Sequence, residues 1–511
     1  MEAFFGFDYN DLRCRDRRSH SALIAAPRCP LPAAVAHHRR HIVRDLGQPC
    51  AGEGNSRRCR PVIHRPGADF PGTRVLELVI ALRLALGLAF LTLAAGAAAD
   101  EESFAVHGQF TYIEQETSGF NAPYRGTNSL SPNKGAETSD ATLYVGAKPW
   151  PGAEAWINGE LEQGFGLDDT LGAAGFPSGE AYKVGKNQPY FRLQRAFIRQ
   201  TFDLGGSPQQ VAAAANQLSG TRGEDRVVLW LGKFSVVDVF DTNQYAHDAR
   251  ADFLNWTAID TGTFDYAADA WGYTAGAAVE WYRHAWAWRA GLFDLSDVPN
   301  SVHLEPGFHE FQTDLELEHR HRFGERSGRL LLTFFRSRAR MGLLDQAVEI
   351  AQNSAAPVDI ASVRSYRTRV GASLSLEQQI SSQLGAFIRA GKAGGNVEAY
   401  EFTDVDRTLA AGVSLQGSSW HRPDDTVGLA AIHNGISAAR ERYLNAGGLG
   451  ILIGDGKLPH AGPEQIVETY YSAAVWKFVH LSLDYQWIGH PAYNRDRGPV
   501  SVVAVRLHAQ I

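Results

Sequence analysis

The chain has 511 residues, of which 49 are Lys or Arg and 56 are Asp or Glu, giving a formal net charge of −7. Hydrophobic residues make up 44% of the chain, which excludes a wholly disordered protein. All 4 cysteines occur before residue 60, so the remainder cannot form a disulfide scaffold or a thiolate metal site. No run of about 20 apolar residues follows the N-terminal region, which excludes a helical protein that crosses a membrane several times.

Two segments precede the main body of the sequence. Residues 1–72 are rich in Arg, His, Pro and Cys without apolar periodicity, so we interpret them as a disordered extension or as a start assigned in error. An apolar core follows Arg83 and ends in small residues up to Ala99. This order is typical of a secretory signal peptide, so we expect residues 73–99 to be cleaved after Ala99. A membrane anchor is the alternative, but the apolar core is short for a span.

Without these two segments, the net charge of the remaining chain is more negative. Residues 1–99 contain 14 of the 49 basic residues and 8 of the 56 acidic ones. Residues 100–511 therefore hold 35 basic and 48 acidic residues, a net charge of −13, and no cysteine. An exported acidic chain lacks the basic face that nucleic acids need, so we expect no nucleic-acid partner.

The main body alternates apolar and polar residues. Phe104, Val106, Phe110 and Tyr112 alternate with polar residues, the period of a strand with one apolar face. Most such segments have about the 9–11 residues that a tilted membrane strand needs. We predict an all-β fold, a transmembrane antiparallel β-barrel of about 16 strands over residues 100–511. The segments lie near 104–113, 142–148, 153–162, 191–204, 227–234, 271–281, 285–293, 309–319, 329–337, 367–377, 383–390, 407–416, 425–433, 465–474, 478–487 and 500–511.

Alternation fits a soluble sandwich as well as a membrane barrel, and three further features favour the barrel. The signal peptide exports the chain, the chain ends within an amphipathic strand, and tryptophans stand at strand ends, where an interfacial girdle would lie. Tight connections near 283–284 and 476–477 fit periplasmic turns, whereas those around 163–190, 205–226, 235–270 and 338–366 are long. The tryptophans of the expected girdle are Trp150, Trp156, Trp281, Trp286, Trp288, Trp476 and Trp487.

The long connection after Phe234 has the composition of a binding segment. Carboxylates, amides and aromatic rings follow one another, and sugar binding uses that mixture: planar groups for the hydroxyls and flat rings for the apolar face of the sugar. An ordinary solvated loop with Asp and Asn turns is the alternative interpretation. The candidate binding residues here are Asp238, Asp241, Asn243, His247, Asp248, Arg250, Asp252 and Trp256.

A second group of candidates lies on two neighbouring segments. Arg195 and Arg199 share one face of a segment whose other face is apolar, and the preceding segment has an acidic face. Opposed basic and acidic rows across a constriction would orient hydroxyl dipoles. The alternative is that these charges pair and stiffen the wall. The members of this group are Arg195, Arg199, Trp156, Asn158, Glu160 and Glu162.

Several blocks of the main body are similar to one family. They include Phe240-Asp241-Thr242-Asn243-Gln244-Tyr245-Ala246-His247-Asp248, Asp252-Phe253-Leu254-Asn255-Trp256, Arg422-Pro423-Asp424-Asp425 and Asp496-Arg497-Gly498-Pro499-Val500. With these blocks the chain resembles the carbohydrate-selective porins, of the porin B type, in the outer membranes of Gram-negative bacteria. The resemblance implies a sixteen-stranded barrel, a long loop folded into the lumen, and passive entry of sugars such as glucose into the periplasm. It also implies no catalysis, no cofactor and no energy coupling.

Other functions stay open at this point. A general or cation-preferring porin would suit the acidic charge. An outer-membrane hydrolase is the enzymatic alternative, although the sequence has no nucleophile motif such as G-x-S-x-G. His319 and His321 share a strand face without a third ligand, so we expect no metal. The expected partners are sugars, outer-membrane lipids and the barrel-assembly machinery. Barrels of this kind usually end in an aromatic residue that this machinery recognises, whereas this chain ends in Ile511, which affects the expected efficiency of assembly. Association of three barrels is left open.

Overall fold

Sixteen strands form the body of the chain within residues 101–511. The computed structural model describes residues 101–511, so the expectations for residues 1–72, and for a signal peptide at 73–99 with cleavage after Ala99, lie outside the described residues. The strands are β1 Phe104–Thr117, β2 Gly135–Ala147, β3 Ala153–Gly164, β4 Lys186–Val211, β5 Gly220–Phe234, β6 Thr274–Arg283, β7 Trp286–Asp294, β8 Phe311–Phe323, β9 Arg326–Met341, β10 Ser365–Gln379, β11 Leu384–Ala393, β12 Arg407–Gly417, β13 Arg422–Gly435, β14 Glu464–Trp476, β15 Val479–Gly489 and β16 Val500–Gln510.

The strands close into a barrel. Consecutive strands pair antiparallel, and β1 also pairs with β16. Phe110 of β1 lies opposite Ala509 of β16 on one side and Ala141 of β2 on the other. Each strand thus has two hydrogen-bonded neighbours, which removes the open edges that a membrane barrel cannot tolerate. The predicted all-β antiparallel barrel of about sixteen strands is confirmed.

Strand β3 shows how the sequence builds a wall with two different faces. Ile157 is 58% exposed on the outside, whereas Glu160 is 2% exposed on the inside. Successive side chains of a strand point to opposite sides, so the period-two pattern separates an apolar outer surface from a polar interior. This is the arrangement of a membrane barrel with a polar lumen.

The two ends of the barrel differ. Tight turns join β6 to β7, β8 to β9 and β14 to β15 at one end, which we call the short-turn end, and β1 begins and β16 ends there. Longer connections lie at the opposite, long-loop end. They hold the helices α1 Trp256–Ile259, α2 Leu344–Ser354 and α3 Ala438–Asn445. In residues 101–511, no helix has both the length and the apolar character needed to span a membrane.

Each predicted segment overlaps one observed strand, and the largest difference concerns β4 and β5. The sequence predicts a strand near 191–204 followed by a long connection, but β4 continues to Val211 and pairs with β5, as in Val211 opposite Gly220. Strand β3 pairs with β4 only as far as Gln200, so this hairpin extends past its neighbour at the short-turn end.

Three of the tryptophans expected in the girdle lie on the outer surface around the turn between β6 and β7. Trp281, Trp286 and Trp288 face outward, and the ring centroids of Trp281 and Trp288 are 4.9 Å apart. The placement of Trp156 in this girdle is wrong. Trp156 is 1% exposed and faces inward, because it shares the face of β3 that carries Glu160.

Candidate functional site in the barrel lumen

The connection from β5 to β6, residues 235–273, folds into the barrel, and we call it the inserted loop. Its hydrogen-bonding partners include side chains of β8, β10, β11, β14, β15 and β16, most of them strands far around the barrel from β5 and β6. Buried backbone N–H and C=O groups must find partners, and the irregular parts of this loop find many of theirs in the wall. The wall therefore holds the loop across the lumen.

Wall carboxylates accept hydrogen bonds from the loop's backbone N–H groups. Glu316 of β8 accepts from the N–H of Asp241 at 2.8 Å. Glu468 of β14 accepts from the N–H of Leu254 at 2.5 Å and of Asn255 at 3.1 Å. Each of these hydrogen bonds ties a buried N–H of the loop to a wall strand, so together they fix the path of the loop.

Wall arginines complement the carboxylates by donating to backbone carbonyls. Arg389 of β11 donates to the carbonyl oxygens of Ala258 at 2.5 Å and Ala246 at 2.9 Å. Arg506 of β16 donates to that of Ala249 at 2.6 Å. Both guanidinium groups are fully buried, so the loop carbonyls replace the water that these charges lose.

A second connection, residues 165–185 between β3 and β4, also enters the lumen, and we call it the second loop. Glu464 of β14 accepts from the N–H of Gly175 at 2.7 Å. The ring of Phe176 stacks on Trp256 of the inserted loop, with centroids 5.2 Å apart. The two loops therefore pack on each other and narrow the lumen.

The outer cavity lies between the two loops and the wall formed by β3 and β4, on the long-loop side. It has a volume of about 280 Å³. Arg195 donates from Nε and Nη2 to Asp238 at 2.8 and 2.7 Å, and its guanidinium carbon lies 4.9 Å from the ring centroid of Tyr273. Charged and aromatic side chains complete the lining, among them Glu160, Glu180, Lys183, His247, Trp256 and Trp271.

The inner cavity lies on the short-turn side. Its volume is about 520 Å³, and residues of the short turns, such as Ser381 and Lys477, form part of its wall. Arg250 lines both cavities and stands at their boundary. Its Nη2 lies 2.9 Å from Glu180 and its Nε lies 3.7 Å from Asp140, so charged groups lie where the two cavities meet.

Burial changes the charge state of loop residues around the outer cavity. It raises the pKa of the Glu180 carboxyl to about 7, and Arg250 acts in the opposite direction. Burial also raises the pKa of the Asp260 carboxyl to about 7, although the nearby His247 acts to lower it. Burial lowers the pKa of the Lys183 ammonium to about 8. Loss of water disfavours the charged form of each group, so all three change charge near neutral pH.

The structure brings seven of the sequence-derived candidates together at the outer cavity. They come from β3, from β4 and from the inserted loop. Asp252 lies in the inner cavity, where Arg250 is also present. The seven residues are Glu160, Arg195, Asp238, His247, Asp248, Arg250 and Trp256.

Six candidates line neither cavity. Arg199 pairs with Glu154 at 2.8 Å toward the short-turn end, because β3 and β4 are hydrogen-bonded neighbours. The basic and acidic rows therefore lie side by side on one wall and are not opposed across the lumen. Asp241 is buried and accepts from the N–H of Thr261 at 2.6 Å, which stabilises the loop. The other four are buried: Trp156, Asn158, Glu162 and Asn243.

Sequence reasoning missed several residues at the site. Glu180 and Lys183 come from the second loop, where Glu180-Ala181-Tyr182-Lys183 has the same mixture of charge and aromatic ring as the inserted loop, and that signal could have found them. Asp140 of β2 lies beside Arg250, yet its flanking residues give no comparable signal.

A closed barrel with an apolar outside, a polar inside and loops that narrow the lumen defines a diffusion channel of the outer-membrane type. The family described as carbohydrate-selective porin, OprB family, matches residues 127–511. The chain belongs to this family and is an outer-membrane channel.

The fold is shared with a solved structure. The high-pH structure of Pseudomonas putida OprB is similar with a TM-score of 0.62 and 13% identity, covering 80% of this chain and 94% of that one. The low-pH structure of P. putida OprB gives a TM-score of 0.43 at 11% identity, covering 87% and 98%. The outer-membrane channel DcaP of Acinetobacter baumannii gives 0.43 at 11%, covering 82% and 100%. Among curated proteins, no sequence matches this chain.

Proposed function

We propose that this channel lets small sugars, monosaccharides such as glucose, diffuse passively into the periplasm. The observation that carries the proposal is the outer cavity, where carboxylates, guanidinium groups and aromatic rings surround about 280 Å³. This volume is close to the lower bound of about 300 Å³ for small-molecule pockets. Charged planar groups bind hydroxyls, and rings cover the apolar face of a sugar.

Arg195 has the central role in this proposal. A guanidinium has five N–H donors, and Asp238 accepts from two of its nitrogens. The pair therefore holds the group in place while other donors remain for a sugar hydroxyl. Because the contacts are few, we expect weak binding, which a channel needs for rapid release.

Single-channel recording with added glucose tests the proposal. We expect conductance through the purified protein in a planar bilayer to fall and saturate as the glucose concentration rises, because the sugar occupies the ion path. A decrease that follows only the viscosity of the solution, equal for glucose and for an acyclic polyol of similar size, would contradict sugar binding.

A cation-preferring channel is the second candidate function, and the charge of the outer cavity favours it. The lining carboxylates outnumber the lining ammonium and guanidinium groups. A reversal potential measured in a KCl gradient would reveal this preference, and a strong preference without glucose block would favour this function. The carboxylates are Glu160, Glu180, Asp238, Asp248 and Asp260, and the cations are Lys183, Arg195 and Arg250.

Export and assembly complete the proposal. We propose that residues 73–99 direct export, that cleavage follows Ala99, that the barrel-assembly machinery inserts the chain, and that lipids cover its apolar outer face. N-terminal sequencing of protein from outer membranes should give Asp100; any other first residue would contradict this cleavage site. Native mass measurement would decide between one barrel and three.

A further inference from the structure

Three arginines form an outward-facing row near the long-loop end of β9. Side chains of this strand alternate, with Ser337 fully buried toward the lumen and Phe334 46% exposed on the outside. Arg336, Arg338 and Arg340 share the face of Phe334, so they point away from the lumen. We call these three residues the arginine row.

The arginine row has no acidic partner. Among residues 101–511, no carboxylate lies within ion-pair distance of any of the three guanidinium groups. Arg338 donates to the carbonyl oxygen of His309 at 3.2 Å, and its guanidinium carbon lies 4.8 Å from the ring centroid of Tyr366. The lumenal arginines differ, because Arg369, for example, is buried and lies 2.7 Å from Asp265.

The row lies where the apolar outer surface ends. Leu332 and Phe334 directly precede it on the same face, and register places Val370 beside Arg336 and Tyr366 beside Arg340. A charged side chain on the lipid face costs about 2–4 kcal/mol at the bilayer midplane but only about 0–1 kcal/mol near an interface. Long connections of outer-membrane barrels face the cell exterior, so the row is level with the headgroups of the outer leaflet.

We propose that the arginine row binds the phosphate groups of lipopolysaccharide. An arginine binds phosphate through two parallel hydrogen bonds, which gives both affinity and orientation. Alternate residues of a strand are about 6.6 Å apart, so the row spans about 13 Å and can contact two phosphates of one glycolipid. The hydroxyl of Tyr366 and that of Thr368, which lies opposite Arg338, flank the row and can bind oxygen atoms of the lipid sugar.

Binding of purified lipopolysaccharide to the full barrel in detergent tests this site. We compare the wild type with a variant that carries Arg336→Gln, Arg338→Gln and Arg340→Gln. The affinity of the variant for lipopolysaccharide should be at least tenfold lower than that of the wild type. Lipopolysaccharide stripped of phosphate should bind the wild type as weakly as intact lipopolysaccharide binds the variant. Heat-resistant migration in gel electrophoresis verifies that each barrel is folded; single Arg→Gln variants replace the triple variant if it does not fold.

The matched control carries Arg283→Gln, Arg322→Gln and Arg326→Gln, which remove the same charge at the short-turn end. This control should bind lipopolysaccharide like the wild type. An equal loss in both variants would show attraction by total charge alone and overturn the proposal. The proposal would also be overturned if the arginine-row variant bound lipopolysaccharide as tightly as the wild type does. The same holds if the wild type bound vesicles of phosphatidylglycerol as tightly as lipopolysaccharide.

Discussion

Arg195 donates two hydrogen bonds to Asp238, from Nε at 2.8 Å and from Nη2 at 2.7 Å. One residue belongs to the wall strand β4, and the other belongs to the first turn of the inserted loop. The same contact therefore positions the loop and places a charged donor group in the outer cavity. Replacement of Arg195 should thus change solute binding more than it changes the stability of the barrel.

Arg195→Ala should weaken the block of single-channel current by glucose about tenfold, because one charge-assisted hydrogen bond contributes about 1.5–3 kcal/mol. Arg199→Ala is the matched control on the same face of β4. Arg199 pairs with Glu154 and does not line the outer cavity, so its loss should leave the block nearly unchanged. Equal effects of the two substitutions would remove Arg195 from the sugar site.

Arg506→Met should raise the conductance and its noise. The substitution removes hydrogen bonds to the carbonyl oxygens of Ala249 and Ala251, so the inserted loop loses several kcal/mol of local stabilisation. Planar-bilayer recording measures the change. Arg442→Met removes an exposed pair with Asp345 in the long connections and should leave conductance unchanged. If the current recorded for Arg506→Met matched that of the wild type, other contacts would suffice to hold the inserted loop.

Cation preference should rise as pH increases from about 6 to about 9. Burial raises the pKa of Glu180 and of Asp260 to about 7, so both gain negative charge over this range. Burial lowers the pKa of Lys183 to about 8, so this group loses positive charge over the same range. Reversal potentials in a KCl gradient report the change. Asp260→Asn should reduce it; a pH-independent potential would show that these groups do not face the permeating ions.

Leu483→Arg should destabilise the folded barrel by about 2–4 kcal/mol in lipid vesicles, because Leu483 faces outward near the middle of β15. Gln416→Arg is the comparison, since Gln416 lines the inner cavity, where a charge stays hydrated. Urea titration in vesicles measures both free energies of unfolding. Similar losses for the two variants would contradict the assignment of outer and inner faces.

Much of the barrel could be predicted because alternation has a direct physical cause. Each wall residue faces either the outside or the lumen, and Ile157 and Glu160 already differ in polarity in the sequence. The extension of β4 could not be predicted in this way. Gly205, Gly206 and Pro208 interrupt the pattern, and only pairing with β5 shows that the strand continues.

The candidate site was predicted less completely, because loop side chains have no period. Asp238 and Asp241 are three residues apart in the chain, yet Asp238 lines the outer cavity and Asp241 binds the loop's own backbone. The proximity of Asp140 and Glu180 to Arg250 depends on how β2 and the second loop pack. Such contacts between distant parts of the chain leave no trace in local composition.

The wall binds the inserted loop mainly through main-chain atoms, and several of these atoms belong to alanines: Ala246, Ala249, Ala251 and Ala258. A main-chain carbonyl is the same whatever side chain accompanies it. The wall can therefore hold the inserted loop whatever side chains the loop carries, so residues that face the cavity can be exchanged while the loop stays in place. Mutation and selection can retune which solutes pass while the arginines and glutamates of the wall stay unchanged.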